Sequence, residues 1–377
     1  MKASSSASIF AAIIALQLLS AVFSAEALST SSVTASPSSS TSPSSSSSAT
    51  TTTTATTTTK ILRSSTDYHL LEVVPHDASS FTQGLTYFDG HIYEGTGLEQ
   101  ESTLLRHDPT NQMKTLAKIP LTPTHLFGEG ISHYSIKKRS IIDPQRQQLD
   151  TENTIITEEE QRHRLIQLTW KNKVGKIYSL PQMEIVKEFT YDTVTGEGWG
   201  ITFVPHTNEF YVSDGSDYLM VWDAETLVEK RRIRVTFQGN GARYLNELEF
   251  VNFAPTTNDD DDGGGGTNSQ MKDNGNCAED GSMTCSEEPT MAFTPTMKIL
   301  ANIWYQDVIV SIDPVSGEIT RVYDMRDIYP VEERQKDGAD CLNGISVTGA
   351  RKKDGEGLEV WVTGKLWPKM YRVQLID

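Results

Sequence analysis

The chain has 377 residues, a formal net charge of −17 and an isoelectric point of about 4.9. This length allows one large domain with appendages. The excess of acid argues against nucleic acid and against an anionic membrane as the main partner, because both repel a negative protein. Part of the negative charge lies in two acidic runs, 158–160 and 259–262. The net charge therefore says more about loops than about a binding site.

Residues 1–27 have the pattern of a secretory signal peptide. Lys2 precedes an apolar run over about 9–23, and small residues follow at 24–27. A cleaved signal typically has an apolar core of about 7–15 residues, whereas a membrane-spanning helix needs about 20. We therefore predict cleavage and a secreted or lumenal protein, with an uncleaved signal anchor as the alternative.

The next segment, 28–66, is rich in Ser and Thr. It cannot bury enough apolar area to fold, so we predict that it is disordered and that the folded domain spans 67–377. Cys277 and Cys285 lie in a Gly- and Asp-rich stretch, where a disulfide and two free thiols are equally compatible with the sequence. Cys341 precedes a strand and is expected to be a buried small hydrophobe. The sequence lacks the Cys and His spacing of a zinc site, so we predict no metal and no cofactor.

Short strand-like runs separated by turn residues fill the rest of the chain. The first covers about 68–74, a hairpin turn is predicted at Asp89-Gly90, and the last run covers about 370–375. Two stretches interrupt the pattern, at about 132–164 and 252–297, and we interpret both as insertions in surface loops.

Five segments repeat one pattern: a polar or aromatic residue, then a small or acidic residue, then an apolar residue that begins a strand. They are Gln83-Gly84-Leu85, Glu129-Gly130-Ile131, Trp199-Gly200-Ile201, Asn246-Glu247-Leu248 and Asn343-Gly344-Ile345. Leu85 and Ile131 are 46 residues apart, and Ile201 and Leu248 are 47 apart. A period near 45 residues with about four strands per unit predicts an all-β fold, a five-bladed β-propeller with two long insertions.

In a propeller the first strand of every blade lines the central channel, so the first residues of the five segments should meet at one mouth. They are Gln83, Glu129, Trp199, Asn246 and Asn343. Amides and aromatic rings around one carboxyl group have the composition of a small-molecule pocket. Glycines on both sides of Glu129 leave its carboxyl uncovered. Two rival acids, Glu94 and Glu247, are expected to point away from the channel, because strand neighbours alternate in direction.

The motifs taken together resemble the plant-type glutaminyl-peptide cyclotransferases, or glutaminyl cyclases. The resemblance covers about residue 80 to the C-terminus, apart from the insertions. The motifs that carry it are Phe81-Thr82-Gln83-Gly84-Leu85, Tyr93-Glu94-Gly95-Thr96-Gly97, Phe127-Gly128-Glu129-Gly130-Ile131, Gln167-Leu168-Thr169-Trp170, Gly196-Glu197-Gly198-Trp199-Gly200, Leu245-Asn246-Glu247-Leu248-Glu249, Ala301-Asn302-Ile303-Trp304 and Thr363-Gly364-Lys365-Leu366-Trp367-Pro368-Lys369. It implies a five-bladed propeller and an acyltransferase that converts N-terminal glutaminyl residues of peptides and proteins to pyroglutamyl and releases ammonia.

The same resemblance implies that Glu129 is the catalytic acid and base. It implies that the substrate is surrounded by Phe81, Gln83, Trp170, Trp199, Asn246, Trp304 and Lys365. The chain departs from the family pattern at the two insertions, either of which could shade the mouth of the channel. It also departs at Leu98-Glu99-Gln100-Glu101, where a glycine-containing turn is expected.

The implied reaction suits these residue types. The α-amine attacks the γ-carboxamide carbon of its own side chain, so folding the substrate supplies much of the acceleration, and indole walls at Trp170, Trp199 and Trp304 would exclude extended conformers. Glu129 would carry a proton from the attacking to the leaving nitrogen. Asn246, Gln83 and Lys365 are alternative donors to the developing oxyanion. The partners would be peptides and proteins with N-terminal Gln, with no stable membrane partner, and the protein is expected to be a monomer.

Two other functions fit the same architecture. One is a propeller that binds a peptide or ligand without catalysis, although a binding ring has no need of a carboxyl group among tryptophans. The other is a Ca²⁺-dependent propeller hydrolase, which would need several carboxylate or amide oxygens converging on the channel axis. The residues that the resemblance places around the substrate include four aromatic ones, which disfavours that alternative.

Overall fold

The computed structural model describes residues 63–136, 162–253, 294, 296–347 and 357–376. The chain divides into two units, Met1–Thr57 and Thr58–Asp377, and the first lies wholly outside the described residues. The predicted signal peptide, most of the predicted disordered segment and the pair Cys277 and Cys285 therefore lie outside them as well. No helix in the described part of the chain is long and apolar enough to cross a membrane.

The described residues form a five-bladed β-propeller, as the repeat predicted. Each blade is an antiparallel sheet whose strands follow one another outwards from the centre. Two strands precede the first blade: β1 (Arg63–Ser64) and β2 (Tyr68–Pro75). Blade 1 contains β3 (Thr82–Phe88), β4 (His91–Thr96), β5 (Thr103–Asp108) and β6 (Lys114–Pro120). Blade 2 contains β7 (Gly128–Ile136), β8 (Arg162–Thr169), β9 (Val174–Ser179) and β10 (Ile185–Thr190).

The remaining blades follow in chain order. Blade 3 contains β11 (Ile201–Val204), β12 (Glu209–Val212), β13 (Tyr218–Asp223) and β14 (Glu229–Arg234). A small hairpin follows, formed by β15 (Thr236–Phe237) and β16 (Asn240–Gly241). Blade 4 contains β17 (Leu245–Asn252), β18 (Met297–Ile303), β19 (Val308–Ile312) and β20 (Ile319–Asp324). After the short helix α1 (Val331–Asp337), blade 5 contains β21 (Leu342–Val347), β22 (Leu358–Gly364) and β23 (Lys369–Leu375).

The N-terminal strand closes the ring. β2 adds to the outer side of blade 5 by pairing with β23, with Tyr68 opposite Leu375 and Pro75 opposite Lys369. β1 then pairs with β2. The segment predicted as disordered through residue 66 therefore contains two strand residues, Arg63 and Ser64.

Side chains near the start of the inner strands hydrogen-bond the blades to one another. The residue after the apolar strand start accepts a hydrogen bond from a backbone N–H of the next blade. The pairs are Thr86 with His133, Ser132 with Phe203, Thr202 with Phe250, and Glu249 with Val347, at 3.2, 3.0, 2.8 and 2.9 Å. Three acceptors are hydroxyls and the fourth is a carboxyl group, whose burial raises the pKa of Glu249 to about 8.

Glu247 occupies a position where the other four blades have glycine. The glycines allow close approach of the next inner strand: a Cβ on Gly130 would lie 2.5 Å from the carbonyl oxygen of Trp199. Glu247 instead sends its carboxyl group across the channel, where it accepts hydrogen bonds from the N–H of Leu85 (3.3 Å) in blade 1 and Ile345 (2.9 Å) in blade 5. The expectation that Glu247 points away from the channel was wrong.

The core lies between the blades. Tyr134, Phe210 and Trp222 pack together between blades 2 and 3, and Trp367 and Tyr371 pack with Tyr329 beside blade 5. Each large apolar side chain buried in this way contributes about 1.5–3 kcal/mol to the free energy of unfolding. Cys341 is buried and free, as expected, and burial raises its pKa to about 11.

Both insertions join the described strands on the face away from Glu129. In blade 2, Gly128 pairs with Thr169 at one end and Ile136 with Arg162 at the other, so the chain leaves and re-enters at the second end. In blade 4 the second insertion joins beyond the pair Asn252 and Met297. At about 3.3 Å per residue, the exit at Ile136 is roughly 20 Å from Glu129. Residues 132–136 and 162–164 belong to strands β7 and β8, so the first insertion is shorter at both ends than predicted. The rest of it lies outside the described residues.

Candidate active site

Glu129 is the second residue of β7 and only 5% of its surface is exposed. Its Oε1 accepts a hydrogen bond from Gln83 Nε2 at 3.2 Å. Gln83 Oε1 in turn accepts one from Asn343 Nδ2 at 3.2 Å, and that nitrogen also donates to the carbonyl of Thr82 at 3.0 Å. A line of amides from blades 5 and 1 therefore holds the carboxyl group of blade 2, and three of the five ring positions predicted from the repeat are hydrogen-bonded together.

Burial raises the pKa of Glu129 well above its usual value. The ammonium group of Lys365 acts in the opposite direction, and the negative charge of Glu197 adds to the rise. Burial is the largest of these effects, because a carboxylate loses its hydration in the interior. Glu129 therefore holds its proton at pH values at which an exposed glutamate is ionised.

Aromatic rings form an arc at the same mouth. The ring centroids of Phe81 and Phe127 are 6.1 Å apart, those of Phe127 and Trp170 5.5 Å, and those of Trp199 and Trp304 5.6 Å. Lys365 Nζ lies 4.8 Å from the ring of Phe81 and extends the arc into blade 5. The arc contains five of the residues that the family resemblance implies, together with Phe127.

The six tryptophans divide into two groups. Three are buried in the core between or within blades: Trp222, Trp361 and Trp367. The other three are only partly buried, and they are the ones predicted to wall the substrate: Trp170, Trp199 and Trp304. Ordinary core packing would bury these three, and their partial exposure at the mouth argues against it.

Glu197 connects two of these indoles. Its Oε2 accepts hydrogen bonds from Trp170 Nε1 at 2.8 Å and from Trp199 Nε1 at 3.0 Å. Its Oε1 lies 3.5 Å from Lys171 Nζ, and this ammonium lies 3.7 Å from the centroid of the Trp170 ring. No role was predicted for Glu197 from its motif, Gly196-Glu197-Gly198-Trp199-Gly200. The signal was present, because Glu197, like Glu129, lies between two glycines.

Asn246 is buried in β17, where its backbone carbonyl accepts a hydrogen bond from Ser213 Oγ at 2.6 Å. No donor among the described residues reaches its buried side-chain oxygen, and the same holds for that of Asn343. A buried polar atom without a partner costs about 1–3 kcal/mol. Two such acceptors among the ring residues are therefore suited to a ligand that brings its own N–H groups.

The rival acids are occupied by protein donors. Glu94 accepts hydrogen bonds from Thr82 Oγ1 at 2.7 Å, His76 Nε2 at 3.1 Å and His107 Nε2 at 3.0 Å, and its pKa is lowered despite complete burial. Glu247 holds two backbone N–H groups across the channel. Within the described residues, Gln83 is the one hydrogen-bond donor to Glu129. Glu129 is thus the acid with capacity left for a ligand.

Three of the non-glycine residues with positive φ lie beside the arc. Tyr244, Tyr305 and Leu366 have positive φ angles of 64°, 56° and 60°, and the last two directly follow Trp304 and Lys365. Residues other than glycine in this region cost about 1–3 kcal/mol each and persist where neighbouring bonds hold them. Such bonds are present: Trp304 N donates to Tyr244 O at 2.9 Å, and Leu366 N donates to Ser80 O at 2.8 Å.

No group of three or more His, Cys, Asp or Glu side chains in the described ranges is arranged to hold a metal ion. The groups that the described residues bring to this mouth are a buried carboxyl group, indole rings and amides.

Comparison with known proteins agrees with this geometry. The family model described as "Glutamine cyclotransferase" matches residues 44–142, 144–258 and 292–375. A glutaminyl-peptide cyclotransferase from Arabidopsis thaliana is 27% identical over 314 residues, which is 81% of this chain and 71% of the plant protein. The crystal structure of Myxococcus xanthus glutaminyl cyclase has the same fold, with a TM-score of 0.53 and 22% identity over 82% of this chain and 97% of the bacterial one. The chain therefore belongs to the glutamine cyclotransferase family.

Proposed function

We propose that this protein is a glutaminyl-peptide cyclotransferase that converts the N-terminal glutamine of peptides and proteins to pyroglutamate with release of ammonia. The observation that carries the proposal is a buried carboxyl group with one protein donor, Glu129, beneath an arc of partly exposed aromatic rings. Membership of the family and the name of the plant relative support it.

The proposed reaction is an intramolecular aminolysis. The substrate α-nitrogen forms a bond to Cδ of its own side chain, and the bond from Cδ to the amide nitrogen breaks. One proton must leave the attacking nitrogen and one must reach the departing nitrogen, because ammonia leaves only when protonated. Glu129 performs both transfers and ends in the state in which it began. Its raised pKa makes Glu129 a better acceptor for the proton of the attacking amine, whose ordinary pKa is about 7.7–8.0, than an exposed glutamate would be.

Substrate binding uses the arc and the unpaired acceptors. The indoles of Trp170, Trp199 and Trp304 press the glutamine side chain back towards its own amine, which supplies a near-attack geometry. The γ-carboxamide brings two N–H groups, and the buried oxygens of Asn246 and Asn343 are available to accept them. A glutamate side chain lacks these donors, so the same acceptors favour glutamine over glutamate.

The donor to the developing oxyanion can be narrowed among the three candidates. Gln83 already shares its amide between Glu129 and Asn343. Lys365 is buried at the end of the arc, and its charge acts on Glu129. We propose Lys365 or Asn246 for this role, with Gln83 orienting Glu129 instead.

Ammonia release tests the proposal. The full-length chain, expressed with its own N-terminus in a secreting host, is incubated with a peptide that begins with Gln, with and without a chelator. Chelator-resistant release of ammonia and loss of the free amine are expected. Glu129→Gln should abolish turnover while the circular dichroism spectrum stays unchanged, because the amide keeps its shape but cannot carry the proton.

Other outcomes separate the alternatives. Release that the chelator abolishes would indicate the metal-dependent hydrolase, and tight peptide binding without release would indicate the non-catalytic propeller. Full activity in Glu129→Gln would remove Glu129 from its role.

We also propose that the protein enters the secretory route, on the basis of the N-terminal pattern of Lys2 and the apolar run that follows it, and that it acts as a monomer. N-terminal sequencing of the product from the culture medium tests the first part: a start near residue 28 supports cleavage, and retention of Met1 in the membrane fraction supports an anchor. Light scattering of the purified product tests the second.

A further inference from the structure

One carboxylate oxygen joins two blades at the mouth of the channel. Trp170 follows β8 in blade 2, and Trp199 precedes β11 in blade 3, yet both indole N–H groups donate to Glu197 Oε2, at 2.8 and 3.0 Å. An indole offers a single N–H, so a shared acceptor fixes the tilt of both rings at once. The angle between these two walls depends on Glu197.

The position of Glu197 is itself fixed by its neighbours. Its carbonyl accepts a hydrogen bond from Thr193 Oγ1 at 2.7 Å, and Gly198 N donates to the carbonyl of Trp170 at 2.8 Å. A Cβ on Gly198 would lie 2.1 Å from the hydroxyl oxygen of Tyr191, so only glycine fits there. The backbone thus holds the carboxylate beside the indoles, and its side chain, 25% exposed, is paired on the other side by Lys171.

Stabilising the fold is a weaker explanation for this arrangement. Both indoles are partly exposed, so water could satisfy their N–H groups at little cost. Blades 2 and 3 are already joined by backbone bonds such as Gly130 N to Trp199 O at 2.7 Å, and by the Tyr134, Phe210 and Trp222 core. The carboxylate adds orientation of the rings and a negative charge near Glu129, which acts to raise the pKa of that residue.

We propose that Glu197 is a positioning residue of the site, which sets the angle between the Trp170 and Trp199 walls and supplies a negative field at Glu129. The inference rests on the proposed cyclotransferase function. The first role is geometric and affects how well a folded glutamine is held. The second is electrostatic and affects the pH at which Glu129 takes up its proton.

Two substitutions separate the roles. Glu197→Gln keeps a carbonyl oxygen that can accept both indole N–H groups but removes the charge. Glu197→Ala removes both. Glu229→Gln is the matched control, because Glu229 lies in the same blade, pairs with Arg232 and has a side chain 29% exposed, but lies on the outermost strand.

Two measurements read the roles independently. The first is the NMR spectrum of the six indole N–H groups, with the signals of Trp170 and Trp199 assigned from Phe substitutions. The second is the pH dependence of kcat and KM for ammonia release from a Gln-peptide. Ionisation of the substrate amine affects the pH profile equally in every variant, so differences between the profiles of the variants reflect groups of the enzyme.

In Glu197→Ala, the Trp170 and Trp199 signals should move together and KM should rise about 10-fold, as expected for the loss of about 1.4 kcal/mol of binding. In Glu197→Gln, both signals and KM should stay close to those of the wild type. The acid limb of the kcat profile should then move to lower pH by roughly half a unit to one unit, because a removed negative charge makes Glu129 easier to ionise.

Each measurement supports or overturns one of the two roles of Glu197. Unmoved indole signals in Glu197→Ala, or kinetics in that variant equal to those of Glu229→Gln, would overturn the geometric role. An unshifted acid limb in Glu197→Gln would overturn the electrostatic role. If the wild-type chain releases no ammonia, the proposed function fails, and the indole signals alone then decide whether Glu197 holds the two rings.

Discussion

Three glutamates of this chain lie in the tripeptide Gly-Glu-Gly, and the two within the described residues, Glu129 and Glu197, have opposite surroundings. Glu129 is buried with one amide donor, and its pKa is raised well above the usual value. Glu197 lies a short distance away, partly exposed, and accepts two indole N–H groups while it faces Lys171. The local sequence is identical, so the difference comes from what the fold brings to each carboxyl group.

The contrast shows how one mouth can place a buried carboxyl group with a raised pKa beside a carboxyl group that orients two indole rings. Burial with few donors raises the pKa of a carboxyl group, as at Glu129, whereas a carboxyl group that accepts several hydrogen bonds orients its donors, as at Glu197. The burial of Glu129 and the donors of Glu197 are therefore the two features to perturb.

The largest effect is expected when the same substitution is made in both tripeptides. Glu129→Asp retracts the carboxyl group by one methylene, and we expect kcat for ammonia release to fall about 100-fold or more, because a misplacement of about 1 Å costs that much. Glu197→Asp should act mainly on KM, by about 10-fold. Steady-state kinetics measure both, and equal losses of kcat in the two variants would contradict the division of roles.

A smaller effect is expected when Glu129 loses its one donor. Gln83→Met removes an N–H that favours the ionised form, so the pKa of Glu129 should rise further and the acid limb of the kcat profile should move to higher pH. This is opposite in sign to the shift expected for Glu197→Gln. kcat at the optimum should fall about 10-fold, the equivalent of one hydrogen bond. Gln374→Met, at another buried glutamine in β23, is the control and should leave the pH profile unchanged.

Glu249 is, like Glu129, a buried carboxyl group with a raised pKa, and the pH dependence of the protein's stability tests its protonation. Glu249 has one backbone donor and a pKa of about 8, so the folded state holds a proton that the unfolded chain loses near pH 4.5. Between these values the stability falls as pH rises, by at most about 1.4 kcal/mol per pH unit. Glu249→Gln can still accept from Val347 N and carries no such penalty.

The gain in melting temperature of Glu249→Gln over the wild type should therefore be small at pH 5 and increase towards pH 8. Thermal unfolding across that range measures it, and a gain that is constant with pH would show that Glu249 is ionised in the folded protein. Glu209→Gln serves as the control of opposite sign. Glu209 is paired with Arg231 and has a lowered pKa, so its contribution is present above about pH 4.5 and is lost in acid.

The smallest effect is expected in the turn Leu98-Glu99-Gln100-Glu101, which is acidic but, unlike the Gly-Glu-Gly tripeptides, contains no glycine. Leu98 and Gln100 have positive φ angles of 81° and 71°, at the place where the family resemblance implies a glycine-containing turn. Gln100→Gly relieves the strain of a side chain in the left-handed region, partly offset by greater freedom in the unfolded chain. We expect a gain of about 0.5 kcal/mol in the free energy of unfolding, measurable by urea titration, and a loss would show that the Gln100 side chain holds the turn.

The architecture could be predicted because the repeat is written in short local patterns. A polar residue, a small residue and an apolar strand start recur with a nearly constant period, and the five-bladed propeller and the family were both confirmed. The mouth could be predicted for the same reason, since equivalent positions of the blades must meet. The catalytic and binding roles of Glu129 and the seven surrounding residues stay predictions, although the structure brings them to one face.

Other features depend on contacts that local patterns do not encode. Strand alternation predicted that Glu247 points away from the channel. It failed because the fourth blade lacks the glycine, and a glutamate there can reach free backbone N–H groups on the far side. The role of Glu197 depends on Trp170, 27 residues earlier in the chain, and the exit points of the insertions depend on which strand ends pair.

Because β2 closes the ring by pairing with β23, the ring cannot close until nearly the whole chain has been synthesised. This strand leaves the ribosome about 300 residues before its partner β23, a wait of roughly 15–60 s at 5–20 residues per second. During that interval the hydrogen-bonding edge of β2 has no native partner, and open edges recruit other chains. The nascent protein must therefore prevent other chains from pairing with β2 until β23 has been synthesised.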